Sequence, residues 1–140
     1  MKQLLRTLFI GCLALLLAGC PQDKQSKDLT ETLEQYEIIV RWAQWDAALA
    51  FVSPEYQEEH PISNLEIERL RLFKVTSYNL RSSTPVDDGN GLHQVVEIKL
   101  FNKNQVRERT IINEQYWKYD ETRKRWLLHS GLPDPTQKNY

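Results

Sequence analysis

The sequence predicts an α+β fold, in which helices from the first half of the chain pack on one face of an antiparallel sheet formed by the second half. Apolar residues recur every three to four positions between Leu33 and Phe51, which is the period of a helix. After Phe73 the chain becomes rich in β-branched and aromatic residues. The strongest turn signal, Asp88-Gly89-Asn90-Gly91, falls within this second half. Helices followed by a meander of strands are typical of α+β domains.

The long N-terminal helix is predicted to begin at Asp28, because Asp28-Leu29-Thr30-Glu31 has the form of a capping box. Its apolar stripe fits either one long helix or two helices with a bend near Trp45-Asp46. The stripe consists of Leu33, Tyr36, Ile39, Val40, Ala43, Ala47, Ala50 and Phe51.

Two short helices are predicted between the long helix and the strands. Ser53 and Pro54 indicate the start of the first, which ends at Pro61. Ser63-Asn64-Leu65-Glu66 is a second capping box, and its helix is expected to reach about Leu72.

Four strands are predicted after the helices. Two doublets in the third strand, Ile111-Ile112 and Tyr116-Trp117, break strict alternation and indicate a β-bulge or a strand buried on both faces. The predicted ranges are Lys74 to Ser83, Leu92 to Phe101, Val106 to Tyr119 and Arg125 to Ser130.

The N-terminus has the pattern of a secretory signal peptide. Lys2 and Arg6 precede an apolar stretch, Leu8 to Ala18, that is too short to span a bilayer as a helix. The segment Leu17-Ala18-Gly19-Cys20 resembles the bacterial lipobox at all four positions. The resemblance implies a diacylglyceryl group on the Cys20 thiol, cleavage between Gly19 and Cys20, and acylation of the new amino group. The alternative is an ordinary secretory signal with a cysteine at its exit.

A lipidated Cys20 would hold the mature chain permanently on a membrane without a spanning segment. Pro21 stands where an aspartate commonly keeps such lipoproteins in the inner membrane, so the expected location is the outer membrane, facing the periplasm. The chain is then expected to comprise a signal peptide (1–19), a lipidated cysteine and polar tether (20–27), an α+β domain (28–132) and a C-terminal tail (133–140).

Composition excludes several classes of function. Cys12 would leave with the signal peptide and Cys20 would carry lipid, so no thiol remains for a disulfide, a nucleophile or a zinc site. Removing Lys2 and Arg6 from 18 basic residues leaves 16 against 19 acidic ones, a net charge of −3 that gives no case for nucleic-acid binding. Three scattered histidines without ligand-spaced carboxylates predict no metal, and no phosphate loop or other cofactor motif is present.

Two stretches resemble the nuclear-transport-factor-two-like superfamily, which includes ketosteroid isomerases and polyketide-cyclase-like proteins. They are Trp45 to Pro54, and Glu114-Gln115-Tyr116-Trp117 with Arg125-Trp126-Leu127-Leu128. The likeness covers about Leu29 to Leu132. It implies that the sheet is strongly curved and forms, with the long helix, a cone around an apolar pocket. Members of this superfamily are enzymes, binding domains or oligomerisation modules, so the fold does not determine the function.

The resemblance implies that a catalytic group would be an acidic, histidine or tyrosine side chain inside the cone. Asp46 is a candidate buried base, or else a solvent-facing or capping residue at the bend. His129 is the second candidate, or else a structural histidine, whereas His60 and His93 are expected to be solvated.

Two further groups of residues have alternative interpretations. The four tryptophans either line a ligand pocket or partner surface or fill the core, and Trp42 and Trp45 are expected to share a helix face; the four are Trp42, Trp45, Trp117 and Trp126. A set of cations forms either an anion- or partner-binding sheet face or a solvated one; it comprises Arg107 and Arg109 with Lys99, Lys103 and Arg81.

Three functions are compatible with these observations. The first is a non-catalytic, lipid-anchored envelope protein that binds a protein partner or a small apolar ligand. The second is a small pocket enzyme of isomerase, dehydratase or cyclase type that uses Asp46 or His129. The third is a module that forms a homodimer through its sheet. A cavity under the sheet with converging polar groups would distinguish between them.

Overall fold

The α+β class is confirmed. A computed structural model describes residues 21–137, so Cys20, the signal peptide and the last three residues lie outside the described part. The helices and strands, in chain order, are α1 (Pro21–Arg41), α2 (Trp45–Leu49), α3 (Pro54–Glu59), α4 (Asn64–Leu70), β1 (Phe73–Val86), β2 (Gly91–Asn102), β3 (Glu108–Asp120) and β4 (Arg125–Leu128).

The strands form one curved, open antiparallel sheet in the order β1-β2-β3-β4. The register of β1 against β2 shifts twice, between Val75 and Ser77 and between Leu80 and Ser82. By contrast, β2 and β3 pair without interruption. The short β4 pairs only with the last four residues of β3, and Val52 forms a parallel bridge with Leu128 on the other side of β4.

The predicted irregularity of the third strand is wrong. Burial alternates strictly along β3, with Ile111 and Trp117 buried and Ile112 and Tyr116 on the exposed face. The doublets contain no bulge because the outer face of this sheet carries partly exposed apolar side chains, which sequence alternation alone does not separate from buried ones. The register shifts lie in β1 instead.

Helix α1 begins before the predicted Asp28, and the segment expected to be a polar tether is helical from Pro21. Trp126 Nε1 donates a hydrogen bond to the Gln25 carbonyl oxygen at 3.1 Å, which holds this first part of the helix to β4. The capping pattern at Asp28 therefore falls inside a helix. There the Thr32 hydroxyl donates to the Asp28 carbonyl oxygen at 2.7 Å.

The chain breaks between α1 and α2, as one of the two predicted alternatives requires, and the break lies at Ala43, two residues before Trp45. Ala43 adopts a left-handed conformation with φ of 52°. This change of direction separates Trp42 from Trp45, so the prediction that they share a helix face is wrong. Trp42 is 75% exposed, whereas Trp45 is 1% exposed.

The core lies between α1 and the inner face of the sheet. Tyr36, Phe51 and Trp117 meet edge to face, with ring centroids 5.0 to 6.3 Å apart. Edge-to-face contacts of this kind are a favourable way of packing aromatic rings in a core.

Both short helices begin as predicted. The Ser53 hydroxyl accepts a hydrogen bond from the Tyr56 N–H at the start of α3, and Ser63 and Glu66 form a complete capping box at the start of α4. The segment after β4 includes the start of the predicted C-terminal tail (133–140) and packs on the domain: Pro133 and Pro135 are buried. Arg109 Nη1 donates to the Pro135 carbonyl oxygen at 3.4 Å.

Candidate functional site

An open cleft of about 530 Å³ lies between α3, α4, the first residue of β1 and the chain that follows β4. This volume is within the range of small-molecule sites. Its walls are mostly apolar or aromatic, with a few charged side chains; they are formed by Tyr56, His60, Pro61, Ile62, Glu66, Arg69, Leu70, Phe73 and residues 130–136.

Gly131 determines how closely the post-β4 segment approaches α3. It is buried and has φ of +75°, a conformation that favours glycine. A Cβ at this position would lie 2.9 Å from the Tyr56 hydroxyl oxygen and 3.0 Å from a ring carbon of the same side chain. Tyr56 in turn stacks on His60, with ring centroids 4.5 Å apart. Only glycine therefore allows the chain to turn here against the aromatic wall of the cleft.

Two of the acidic side chains in the cleft are used in local structure. The Ser63 backbone N–H and hydroxyl donate to Glu66 Oε2 at 2.7 and 2.8 Å, and these bonds lower the pKa of Glu66. Asp134 Oδ1 accepts from the Thr136 N–H and hydroxyl. Arg69 is exposed at the rim and interacts electrostatically with Glu66, but it forms no ion pair within 4 Å with any residue from 21 to 137. Arg69 is therefore the cation that is available to an anionic ligand.

Asp46 does not occupy a buried site. Its Oδ2 is 2.7 Å from Arg71 Nη2, and its side chain is 69% exposed. The prediction of a buried base is therefore wrong, and the solvent-facing alternative holds. The carboxylate faces water because it lies in the first turn of α2, beside the end of α4.

His129 follows β4, and its Nδ1 is 3.3 Å from the Ser53 hydroxyl oxygen. Burial, followed by the nearby Lys118, lowers the pKa of His129. The neutral ring is therefore favoured, and the Ser53 hydroxyl can donate to an unprotonated Nδ1. Ser53 is fully buried, and its oxygen already accepts from the Tyr56 N–H. A buried, capping serine cannot reach a substrate, so this pair joins β4 to α3 and carries no nucleophile.

Three of the four tryptophans are core residues, and no ligand wall is formed by them. Trp45, Trp117 and Trp126 are at most 3% exposed. Trp42 is the exception, because it follows the last residue of α1 and faces solvent. The core-filling alternative therefore describes the buried three.

Of the two alternatives for the basic residues, the structure gives no support to an anion- or partner-binding sheet face. Arg107 precedes β3, Arg81 pairs with Glu97, and Arg109 reaches towards Pro135.

Across residues 21–137, no group of three or more His, Cys, Asp or Glu side chains is placed to hold a metal ion. His60 is exposed, while His93 is partly buried and stacks on Tyr116 with centroids 4.4 Å apart. No helix in this part of the chain is long and apolar enough to cross a membrane.

A buried polar network on the inner face of the sheet had no counterpart in the sequence predictions. Gln115 Nε2 donates to the Tyr78 hydroxyl oxygen at 3.0 Å and to Asn113 Oδ1 at 2.9 Å. Gln115 Oε1 accepts from Trp117 Nε1 at 3.2 Å. Burial raises the pKa of Tyr78 to about 12, so its hydroxyl is protonated at neutral pH. The signal in the sequence is that Asn113 and Gln115 lie at every second position between Ile111 and Trp117, as residues on one face of a strand do. The pattern does not predict burial, because amide side chains are more often exposed than buried.

The fold and the cleft define a small α+β domain with an open, mainly apolar cleft beside the first residue of β1. Comparisons of the chain with protein-family models, with curated proteins and with solved structures found no match. The relationship to the nuclear-transport-factor-two-like superfamily therefore stays a prediction.

Proposed function

We propose that this chain is a lipid-anchored lipoprotein of the bacterial envelope, located on the periplasmic side of the outer membrane, whose domain binds a small amphipathic acid in the cleft. The lipobox pattern at Leu17 to Cys20 supports the anchor. The cleft of about 530 Å³, with apolar walls and Arg69 at its rim, is the observation that carries the binding function.

The chemistry of the cleft supports this class of ligand. Leu70, Phe73 and Leu132 provide an apolar wall for the body of the ligand. Arg69 can bind a carboxylate through two parallel N–H donors, because the guanidinium fork matches the two carboxylate oxygens. The exposed position of Arg69 predicts a modest contribution to affinity.

The alternative function, a small pocket enzyme, receives no support from its two candidate catalytic groups. Asp46 is exposed and bound to Arg71, and His129 faces a buried capping serine. A binding role requires only the cleft, which is already open.

Two fluorescent probes test the site, with the lipidated chain in nanodiscs and empty nanodiscs as background. The anionic probe is 8-anilinonaphthalene-1-sulfonate and the neutral one is N-phenyl-1-naphthylamine. Arg69→Gln is expected to weaken the binding of the anionic probe several-fold and to leave the affinity for the neutral probe unchanged. Arg107→Gln removes the same charge at an exposed position outside the cleft and is expected to change neither. The proposal would be contradicted if neither probe bound. It would also be contradicted if Arg69→Gln and Arg107→Gln lost equal affinity for the anionic probe.

A further inference from the structure

The face of α1 that points away from the sheet carries two large apolar side chains. Helix α1 packs on the core through Tyr36 and Val40, which are fully buried. On the other side, Ile38 is 56% exposed, and Trp42, directly after the helix, is 75% exposed. The Trp42 N–H donates to the Ile38 carbonyl oxygen at 3.0 Å, so the two residues lie one turn apart on the same face. An exposed indole beside an exposed isoleucine indicates a contact surface.

This face extends along the whole of α1. With 3.6 residues per turn, positions 24, 27, 31 and 42 all lie within about 40° of the direction of Ile38. Each of these residues is exposed, and we call the set the outer stripe: Lys24, Lys27, Glu31, Ile38 and Trp42. Position 20 precedes Ile38 by 18 residues, or five turns, so a lipid attached where α1 begins is in phase with the outer stripe.

The charges on and beside the outer stripe balance. Lys27 Nζ is 3.9 Å from Glu31 Oε1, and Arg41 Nη1 is 3.3 Å from Glu37 Oε1. Lys24 and Glu34, both exposed, complete three basic and three acidic side chains. The mature chain as a whole has a net charge of −3. A negatively charged bilayer surface therefore repels this face less than it repels the average surface of the domain.

We propose that α1 lies along the bilayer that holds the anchor, with the outer stripe facing the lipid headgroups and with Ile38 and Trp42 inserted among them. The inference rests on the proposed function, because lipid at Cys20 supplies the first point of attachment. Helix α1 has 21 residues, which correspond to a length of about 31 Å. The two points of attachment thus lie at opposite ends of the helix and fix its direction in the plane of the membrane.

The anchor makes a small apolar contact sufficient. Two side chains bury too little surface to hold a free domain on a membrane. Once Cys20 is embedded, however, insertion of Ile38 and Trp42 is intramolecular, and the effective concentration of lipid is high. Tryptophan suits the headgroup region because its ring is apolar and its N–H can bond to polar groups. Because the Trp126 hydrogen bond to Gln25 holds α1 on the sheet, the helix orients the whole domain.

Spin labelling tests this contact in the lipidated chain in nanodiscs, because the lipidated mature chain has no free thiol. A nitroxide is attached to Ile38→Cys, and its collision rates with molecular oxygen and with a water-soluble nickel complex are measured. A label among lipids meets oxygen often and nickel rarely, a label in water meets both, and a label covered by protein meets neither.

Ile112→Cys is the matched control, because Ile112 is 37% exposed on the outer face of the sheet, away from α1. We expect the ratio of oxygen to nickel collisions to be at least about threefold higher at position 38 than at position 112.

Two substitutions of Trp42 in the Ile38→Cys chain provide the second test. Trp42→Gln removes the inserted ring and is expected to bring the ratio at position 38 to within about twofold of that at position 112. Trp42→Tyr keeps an aromatic ring that favours the headgroup region and is expected to preserve most of the effect. Both variants are expected to fold, as circular dichroism would show, because Trp42 is exposed.

Three results would overturn the inference: equal ratios at positions 38 and 112, a label at position 38 that is shielded from both reagents, or a ratio that Trp42→Gln leaves unchanged. Intact mass reports lipidation of Cys20 separately. A lipidated chain whose label stays in water contradicts only the second attachment, whereas a chain without lipid contradicts the proposed function and this inference with it.

Discussion

The indole of Trp126 and the backbone of Gln25 are joined across 101 positions of sequence by a hydrogen bond of 3.1 Å. Pro21, the first described residue, is already helical and directly follows Cys20. If Cys20 carries lipid, the domain is therefore held at the bilayer by the end of a docked helix. A fixed helix gives the domain a defined orientation, which a flexible tether would not.

Replacing Trp126 with Phe is expected to lower the free energy of unfolding by about 1 to 2 kcal/mol, because the hydrogen bond and part of the packing are lost. Hydrogen exchange is expected to accelerate in residues 24–28. Trp42→Phe makes the same chemical change at an exposed position and is expected to leave both measurements unchanged. Equal exchange rates in the two variants would show that the Gln25 contact does not hold the helix.

Substitution of Gly131 by Ala is expected to destabilise the domain by about 2 to 3 kcal/mol, because it combines a strained backbone with a contact against Tyr56. Gly89→Ala separates these two costs: Gly89 has φ of +90°, but its Cβ would meet nothing within 4 Å. We expect about 1 kcal/mol there. Chemical denaturation measures both values, and equal destabilisation would remove the role assigned to Tyr56.

Acidification is expected to destabilise the fold through His129. The pKa of this histidine is lower in the folded chain than in the unfolded chain, so the unfolded chain binds the proton more readily. Its contribution to stability is therefore fully present above about pH 6.5, the ordinary histidine value, and is lost as the pH falls through the folded pKa.

The His129→Gln variant keeps a side-chain acceptor for Ser53 but does not titrate. Unfolding by denaturant between pH 7.5 and pH 5 is expected to show a shallower loss of stability in this variant. His60→Gln makes the same substitution at an exposed position away from Ser53 and serves as the control. A slope that is unchanged by His129→Gln would contradict the assignment.

The tryptophans provide a test of the core. Trp45→Ala is expected to lower the free energy of unfolding by about 3 to 5 kcal/mol, since a fully buried indole leaves a large cavity. Trp42→Ala is expected to change it by less than about 0.5 kcal/mol. Thermal unfolding of the two variants measures the difference, and similar losses would place Trp42 in the core.

Local sequence signals predicted the parts of the fold that local interactions determine. The capping box at Ser63, the serine cap at Ser53 and the turn near Gly89 all lie where they were expected. The start of α1 was missed because its helical state is reinforced by a tertiary contact to Trp126, which no local pattern encodes.

The cleft could not be predicted for the same reason. Its walls come from α3, α4, Phe73 and the chain after β4, and they meet only through the turn at Gly131. In the sequence, nothing distinguishes Arg69 from the other charged residues of α4. Arg69 is available to a ligand because Glu66 and Asp134 are bound to their own local partners, and these contacts depend on the folded structure.

Intact-mass analysis of the mature chain, purified from bacterial membranes, tests the central claim most directly. The account predicts a chain that begins at Cys20 and carries a diacylglyceryl group with an additional acyl chain such as palmitate. Cys20→Ser is expected to abolish this modification, and Cys12→Ser, within the segment that is removed, is expected to leave it intact. An unmodified Cys20, or a mature chain that begins at another residue, would contradict the account.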